Sequence, residues 1–232
     1  MPTTRRFLLT GLLIALSGML VACGSGDDSK QSTADLAPRL ESAKKQIDTA
    51  ETVDLSMATK EVPSGVTGLL SATGKGNHSP AFEGKVKVVT SGATIGADVI
   101  ALDGQVYAKT GFAPVFLKID PASLGAPDPA ALFATSGGVS DLLIKTTALK
   151  AGDKTRDGDD VLTTITGTLD GATVQSLIPT ADAAQTFSVT YKLTDKDQLR
   201  AATITGPFYD ATATTYTLTL KLLDEPLTVQ AP

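Results

Sequence analysis

The sequence predicts an α+β fold: one large antiparallel sheet with helices set against one of its faces. Two observations carry this. Apolar and polar residues alternate over residues 53–109 and again over 161–222, which is the period of a half-buried strand. Residues 35–51 and 128–149 carry helical periodicity and helix-start signals instead. Many strands in succession curl toward a partial barrel, and the apolar face then needs a cover, which these helices can supply.

The chain opens with a leader. Arg5 and Arg6 precede an apolar run from Phe7 to Val21 that is short and ends in small residues. This fits a cleaved signal peptide over residues 1–22 better than a membrane span. Leu20-Val21-Ala22-Cys23 resembles a bacterial lipobox, and Cys23 is the single cysteine of the chain. A lipobox implies a diacylglyceryl group on the Cys23 thiol and a mature chain that starts there. Two acyl chains anchor stably where one holds only marginally. Residues 23–34 (Gly, Ser, Asp, Gln, Thr) are too polar to pack and read as a tether. The expected location is the outer face of the cell membrane.

The remaining domain, residues 35–232, begins with a helix. Leu36, Leu40, Ala43, Ile47 and Ala50 share one face, and Lys44, Lys45 and Asp48 the other. Val53, Leu55 and Met57 then start a strand. Leu70, Ala72, Gly74 and Gly76 form a second set, and Phe82, Gly84, Val86 and Val88 a third. Asp103-Gly104 between residues 98–102 and 105–109 signals a hairpin. The small residues on this apolar face leave volume for a cavity; alternatively, the glycines mark bulges or tight bends.

The middle changes character. Asp120-Pro121 and Asp128-Pro129 each place a capping acid before a proline in a first helical turn. Gly137-Gly138 breaks the second of these, and Ser140 to Leu149 forms a further helical candidate. Strands return at 161–169, 187–193, 199–205 and 215–222, with a short helix from Gly171 stopped by Pro179.

Composition excludes several functions. The 20 basic residues include Arg5 and Arg6, and the leader holds none of the 25 acids, so residues 23–232 carry a formal charge of −7. An acidic chain with no basic cluster argues against nucleic acid and against electrostatic docking on anionic lipid. Tryptophan is absent and aromatics are 5%, which leaves little surface for carbohydrate stacking. His78 is the sole histidine and sits in a turn-like stretch, where it reads as a surface turn residue. It has no partner for a common zinc site or a serine triad. Asp153 to Asp160 faintly resembles a calcium loop, but Thr164 stands where the bidentate glutamate belongs, and a hairpin loop is the reading kept. No cofactor, metal or catalytic constellation is expected, and the protein reads as a non-enzyme.

The block Val99 to Lys109, followed by Lys118-Ile119-Asp120-Pro121, Pro127 to Leu132, Gly137 to Leu143 and Ile165-Thr166-Gly167, resembles the LppX/LprA/LprF/LprG lipoproteins of mycobacteria and related actinobacteria, with LprG-like members nearest in pattern. The resemblance implies a twisted antiparallel half-barrel with helices packed on its concave face, enclosing a hydrophobic cavity for acyl chains. It implies binding of acylated lipids or glycolipids, such as triacylglycerol, and their transport across the cell envelope. It also implies a major-facilitator efflux transporter as a possible partner. The sheet-and-helix shape is similar to the periplasmic lipoprotein carriers of Gram-negative bacteria. The valine of the family's Gly-x-Val-x-Leu strand corresponds to Val86. The stretch Phe112 to Phe116 departs by lacking the tryptophan often found near there, and the last strands depart by being threonine-rich.

Candidate cavity residues on the apolar strand faces are Phe82, Val86, Val88, Ile100, Val189, Tyr191, Leu218 and Leu220. The alternative reading is a scaffold or accessory lipoprotein for a membrane transporter, with no lipid cargo.

Overall fold

A computed structural model of the protein describes residues 35–209 and 212–232. The leader, Cys23 and the tether lie outside the described residues. Helix α1 (Leu36–Asp48) is followed by strands β1 (Thr52–Thr59), β2 (Gly68–Asn77), β3 (Ala81–Thr90), β4 (Ala93–Leu102), β5 (Gln105–Thr110) and β6 (Ala113–Ile119). A long connection carries two single-turn 3-10 segments, Pro121–Leu124 and Ala131–Phe133, and then α2 (Asp141–Lys145). Strands β7 (Thr147–Asp157) and β8 (Asp160–Asp170), helix α3 (Gly171–Gln175), and strands β9 (Thr186–Leu193), β10 (Leu199–Tyr209) and β11 (Thr212–Leu223) complete it.

All eleven strands form one antiparallel sheet in the order β6-β5-β4-β3-β2-β1-β11-β10-β9-β8-β7. The sheet stays open, with β6 and β7 at its two edges. The seam is β1 against β11, with Leu55 opposite Leu220 and Met57 opposite Leu218. Two wings of consecutive strands grow outward from that seam. Because the wings end at opposite edges, the connection from β6 to β7 must return across the sheet. This connection, residues 120–146, is called the strap below.

Alternation decides which face is buried. In β9, Phe187, Val189, Tyr191 and Leu193 are buried while Ser188 and Lys192 are exposed. In β11, Thr214, Tyr216, Leu218 and Leu220 are buried and the threonines between them are exposed. Helix α1 covers this face with Leu36, Leu40, Ala43 and Ile47. Arg39 pins it to the β9–β10 turn, with Nε 2.5 Å from Asp197 Oδ1 and Nη2 donating to Thr194 O at 2.8 Å. Among the described residues, one continuous core runs from Leu36 to Leu220, and these residues form one compact unit.

The expected fold class agrees with this sheet, and several local readings need correction. Ile100 is off the apolar face: it pairs with Glu83 and Tyr107, while Val99 and Ala101 are the buried residues of β4. A one-residue offset moves every side chain of a strand to the other face. The helix begun at Ser140 stops at Lys145, and Thr147 to Leu149 belong to β7. Asp153 to Asp157 are also β7 rather than loop, with the turn at Gly158 in the left-handed region (φ 58°). β6 is a strand that the sequence reading did not assign.

Candidate functional site

The two wings bury different things. The wing of β9, β10 and β11 is filled by aromatics. Phe187, Phe208 and Tyr216 pack edge to face with centroids 4.9 Å apart at each step. Tyr216 OH donates to Leu69 O and bonds Tyr209 OH, which in turn accepts from Leu69 N. Tyr191 OH bonds Thr146 Oγ1 at 2.8 Å and Leu142 O at 3.1 Å, tying α2 to β9. Burial pushes the phenols of Tyr191 and Tyr216 well above their usual range.

The other wing is built from small residues and is roofed by the strap. Here the glycines resolve the two readings of the sequence. Gly74 and Gly84 face each other, and a side chain on either would meet the Phe82 ring and the opposing backbone. A side chain on Gly76 would meet the ring of Phe133. Phe82 and Phe133 stack at 5.9 Å with their planes 24° apart. The space the glycines leave is therefore occupied by two rings, one from the sheet and one from the strap.

A cavity remains beside these rings. It measures about 40 Å³, and its walls are almost wholly apolar. The sheet contributes Leu69, Ala72, Val86, Val88, Val99, Val106 and Ile119, and the strap contributes Leu124, Leu132, Ala126 and three prolines (Pro121, Pro127 and Pro129). Ligand pockets for small molecules run from roughly 300 to 1,000 Å³. The cavity as it stands lies well below that range.

Local chemistry shapes the strap. Asp120 Oδ1 accepts from Ala122 N at 3.0 Å and starts the first turn, which Gly125 ends in the left-handed region (φ 61°). Asp128 Oδ1 accepts from Ala130 N at 2.9 Å. Proline fixes φ at positions 121, 127 and 129, which stiffens the first half of the strap ahead of α2.

Two polar clasps hold its far end. His78 is half-buried rather than a surface turn residue: Nδ1 lies 2.7 Å from Phe133 O and Nε2 2.9 Å from Ile47 O. It joins strap, helix α1 and the β2–β3 turn at one point. The second clasp is ionic. Lys44 Nζ reaches Asp48 Oδ2 at 2.6 Å, Asp141 Oδ1 at 2.9 Å and Thr135 O at 2.8 Å. Ser140 Oγ donates to Asp48 Oδ1 at 2.6 Å, and Gly137 N donates to Asp141 Oδ2 at 2.6 Å. Desolvation opposes both charges in this cluster. The paired bonds prevail, so Lys44 is raised above its ordinary value and Asp141 is held below the usual carboxylate value.

The candidate residues separate into three groups. Val86 and Val88 line the cavity. Phe82, Val189, Tyr191, Leu218 and Leu220 are buried in the solid core, with Phe82 against the strap. Ile100 lies on the opposite face. The strap residues Leu124, Pro127, Pro129 and Leu132 were absent from the sequence set, although Asp120-Pro121 and Asp128-Pro129 marked their segment. Among the described residues, no group of three or more His, Asp or Glu is arranged to hold a metal ion.

No curated protein sequence matches the chain significantly. The fold is similar to the solved structure of LprF from Mycobacterium bovis, with a TM-score of 0.70, 14% identity, and coverage of 86% of this chain and 97% of that one. It is also similar to the Mycobacterium tuberculosis lipoprotein LppX, with a TM-score of 0.61, 20% identity, and coverage of 86% of this chain and 100% of that one. At these identities the likeness shows a shared fold. The sequence profile of the LppX_LprAFG lipoproteins matches residues 34–229, which takes in the whole sheet and its helical cover. On that match the chain belongs to the LppX_LprAFG lipoprotein family.

Proposed function

We propose that this protein is a non-enzymatic lipid carrier, anchored through a diacylglyceryl group on Cys23 to the outer face of the cell membrane. Its cargo is an acylated lipid or glycolipid, of which triacylglycerol is one candidate, and its task is to help move that cargo across the envelope. The observation that supports this reading is the apolar cavity between β2–β6 and the strap. Exposing one acyl chain of about 16 carbons to water costs on the order of 13 kcal/mol at about 0.8 kcal/mol per methylene. A shuttle must therefore enclose its chains in apolar walls.

The cavity as it stands is too small for an acyl chain, and the strap is the segment whose movement would enlarge it. Lifting the strap withdraws Phe133 from Gly76 and Phe82, and the trough over Gly74, Gly76 and Gly84 then joins the existing cavity. The volume of an acyl chain comes from the movement of one segment, while the sheet keeps its pairing.

The test is to purify residues 31–232, free of the anchor, from an actinobacterial host and identify bound lipid by mass spectrometry of solvent extracts. A stoichiometric acylated lipid is the expected result. An empty domain from such a host sinks the carrier reading and favours a scaffold.

A further inference from the structure

We infer that the β5–β6 hairpin and the lysine-lined groove beside it form a docking surface for an anionic phospholipid bilayer. Four large apolar side chains are exposed among the described residues, and three belong to this hairpin: Phe112 (92% exposed), Val115 (60%) and Leu117 (52%). Phe112 sits at the turn, and β6 is an edge strand with nothing beyond it in the sheet. Clustered exposed apolar residues mark interaction sites.

The groove beside the hairpin supplies the matching charge. It is an open depression of about 680 Å³, lined by Lys85, Lys87 and Lys109 with Asp98, and closed on one side by Gly111 and Pro114 of the hairpin itself. Asp98 holds two of the ammonium groups, Lys85 Nζ at 2.7 Å and Lys109 Nζ at 3.4 Å, and Lys109 Nζ also lies 5.0 Å from the centre of the Phe116 ring. Lys87 has no acidic partner among the described residues. The remainder of the chain is acidic, so an anionic surface repels most of the molecule and attracts this part of it.

The order of the sequence conceals this patch. Lys85, Lys87 and Lys109 lie on different strands, and antiparallel pairing brings Lys85, Asp98 and Lys109 into one row across β3, β4 and β5. The absence of a basic run in the sequence thus does not exclude a basic surface in the fold. Leu117 shares one face of the hairpin with Ala108, and Phe116 shares the other with Lys109, so a bilayer that meets the open β6 edge and the Phe112 turn touches apolar side chains and ammonium groups together. Val86 also lines both this groove and the apolar cavity, which places a docked headgroup layer next to the cavity wall.

The inference extends the carrier reading but is tested apart from it, since vesicle binding needs no cavity. Residues 31–232 are sedimented with vesicles of phosphatidylcholine alone and of phosphatidylcholine mixed with phosphatidylglycerol, at low and high salt. Binding to the mixed vesicles, weakened by salt, is the expected result. Lys87→Gln should weaken it about fivefold, the scale of one basic residue at an anionic surface. The pair Phe112→Ser and Val115→Ser should weaken it at least as much. These positions are exposed, so circular dichroism should show an unchanged fold. No binding to either vesicle, or binding that these variants leave unchanged, overturns the inference. A domain that binds vesicles but never carries lipid overturns the carrier reading and leaves this surface standing.

Discussion

The ring of Phe133 occupies the place that a side chain on residue 76 would take, so a glycine of the sheet and an aromatic of the strap fit only together. Gly76→Ala should push Phe133 off Phe82. Overpacking of this kind costs about 1–3 kcal/mol, and each kcal/mol lowers Tm by about 2–4 °C in a domain of this size. Thermal unfolding by circular dichroism reads the loss, and binding of a hydrophobic dye should rise as the strap loosens. An unchanged Tm would mean that the strap adjusts freely and that the fit is incidental.

Val86→Trp should fill the cavity from the sheet side. The residue is only partly buried, so the larger ring can be taken up without dismantling the core. Lipid recovered with the purified domain should fall, while the unfolding transition remains cooperative. Full lipid occupancy in a folded variant would place the cargo elsewhere.

His78→Ala removes the ring that sits between Phe133 O and Ile47 O and with it the hydrogen bond of the clasp. A hydrogen bond of this kind is worth about 1 kcal/mol net. The effect should be local: amide exchange should quicken at residues 131–139, whose bonds include Val139 N to Leu132 O at 2.9 Å, and stay slow in β9–β11. Uniform acceleration across the sheet would contradict a role confined to the strap.

Asp141→Asn tests the ionic clasp. The folded value of Asp141 is depressed, so its charge contributes stability above the unfolded value near 4, and that contribution is lost as pH falls through the lower folded value. At neutral pH the substitution should cost about 2 kcal/mol, the scale of a hydrogen bond to a charged group. Urea midpoints measured from pH 7 downward should fall less steeply below about pH 4 in the variant than in the parent. Parallel curves would remove Asp141 from the account.

Much of the sheet could be read from alternation, and the failures have physical causes. β9 and β11 were legible because one face of each is wholly buried, so every second residue is apolar. β7 was not, because it is an edge strand exposed on both faces and has no apolar side to display. β6 was missed for a related reason: its pairing to β5 is irregular between Ala108 and Thr110, and Val115 and Leu117 are apolar yet exposed. Ile100 was misplaced because Val99, Ile100 and Ala101 are all apolar and give no parity. The glycines were legible as small but not as occupied, since their occupants Phe82 and Phe133 come from different parts of the chain. The two clasps join residues distant in sequence, such as Lys44 with Asp141, and no local pattern announces them.

The strap begins at one edge of the sheet and ends at the other. A flat sheet of eleven strands would measure roughly 48 Å across at about 4.8 Å per strand. The strap is held between its ends as well as at the rims, by His78 at Phe133 and by Lys44 at Asp141. Ile119 of β6 and Pro121 just beyond it line the cavity, so a membrane pressing on the β6 rim would press on the cavity wall itself.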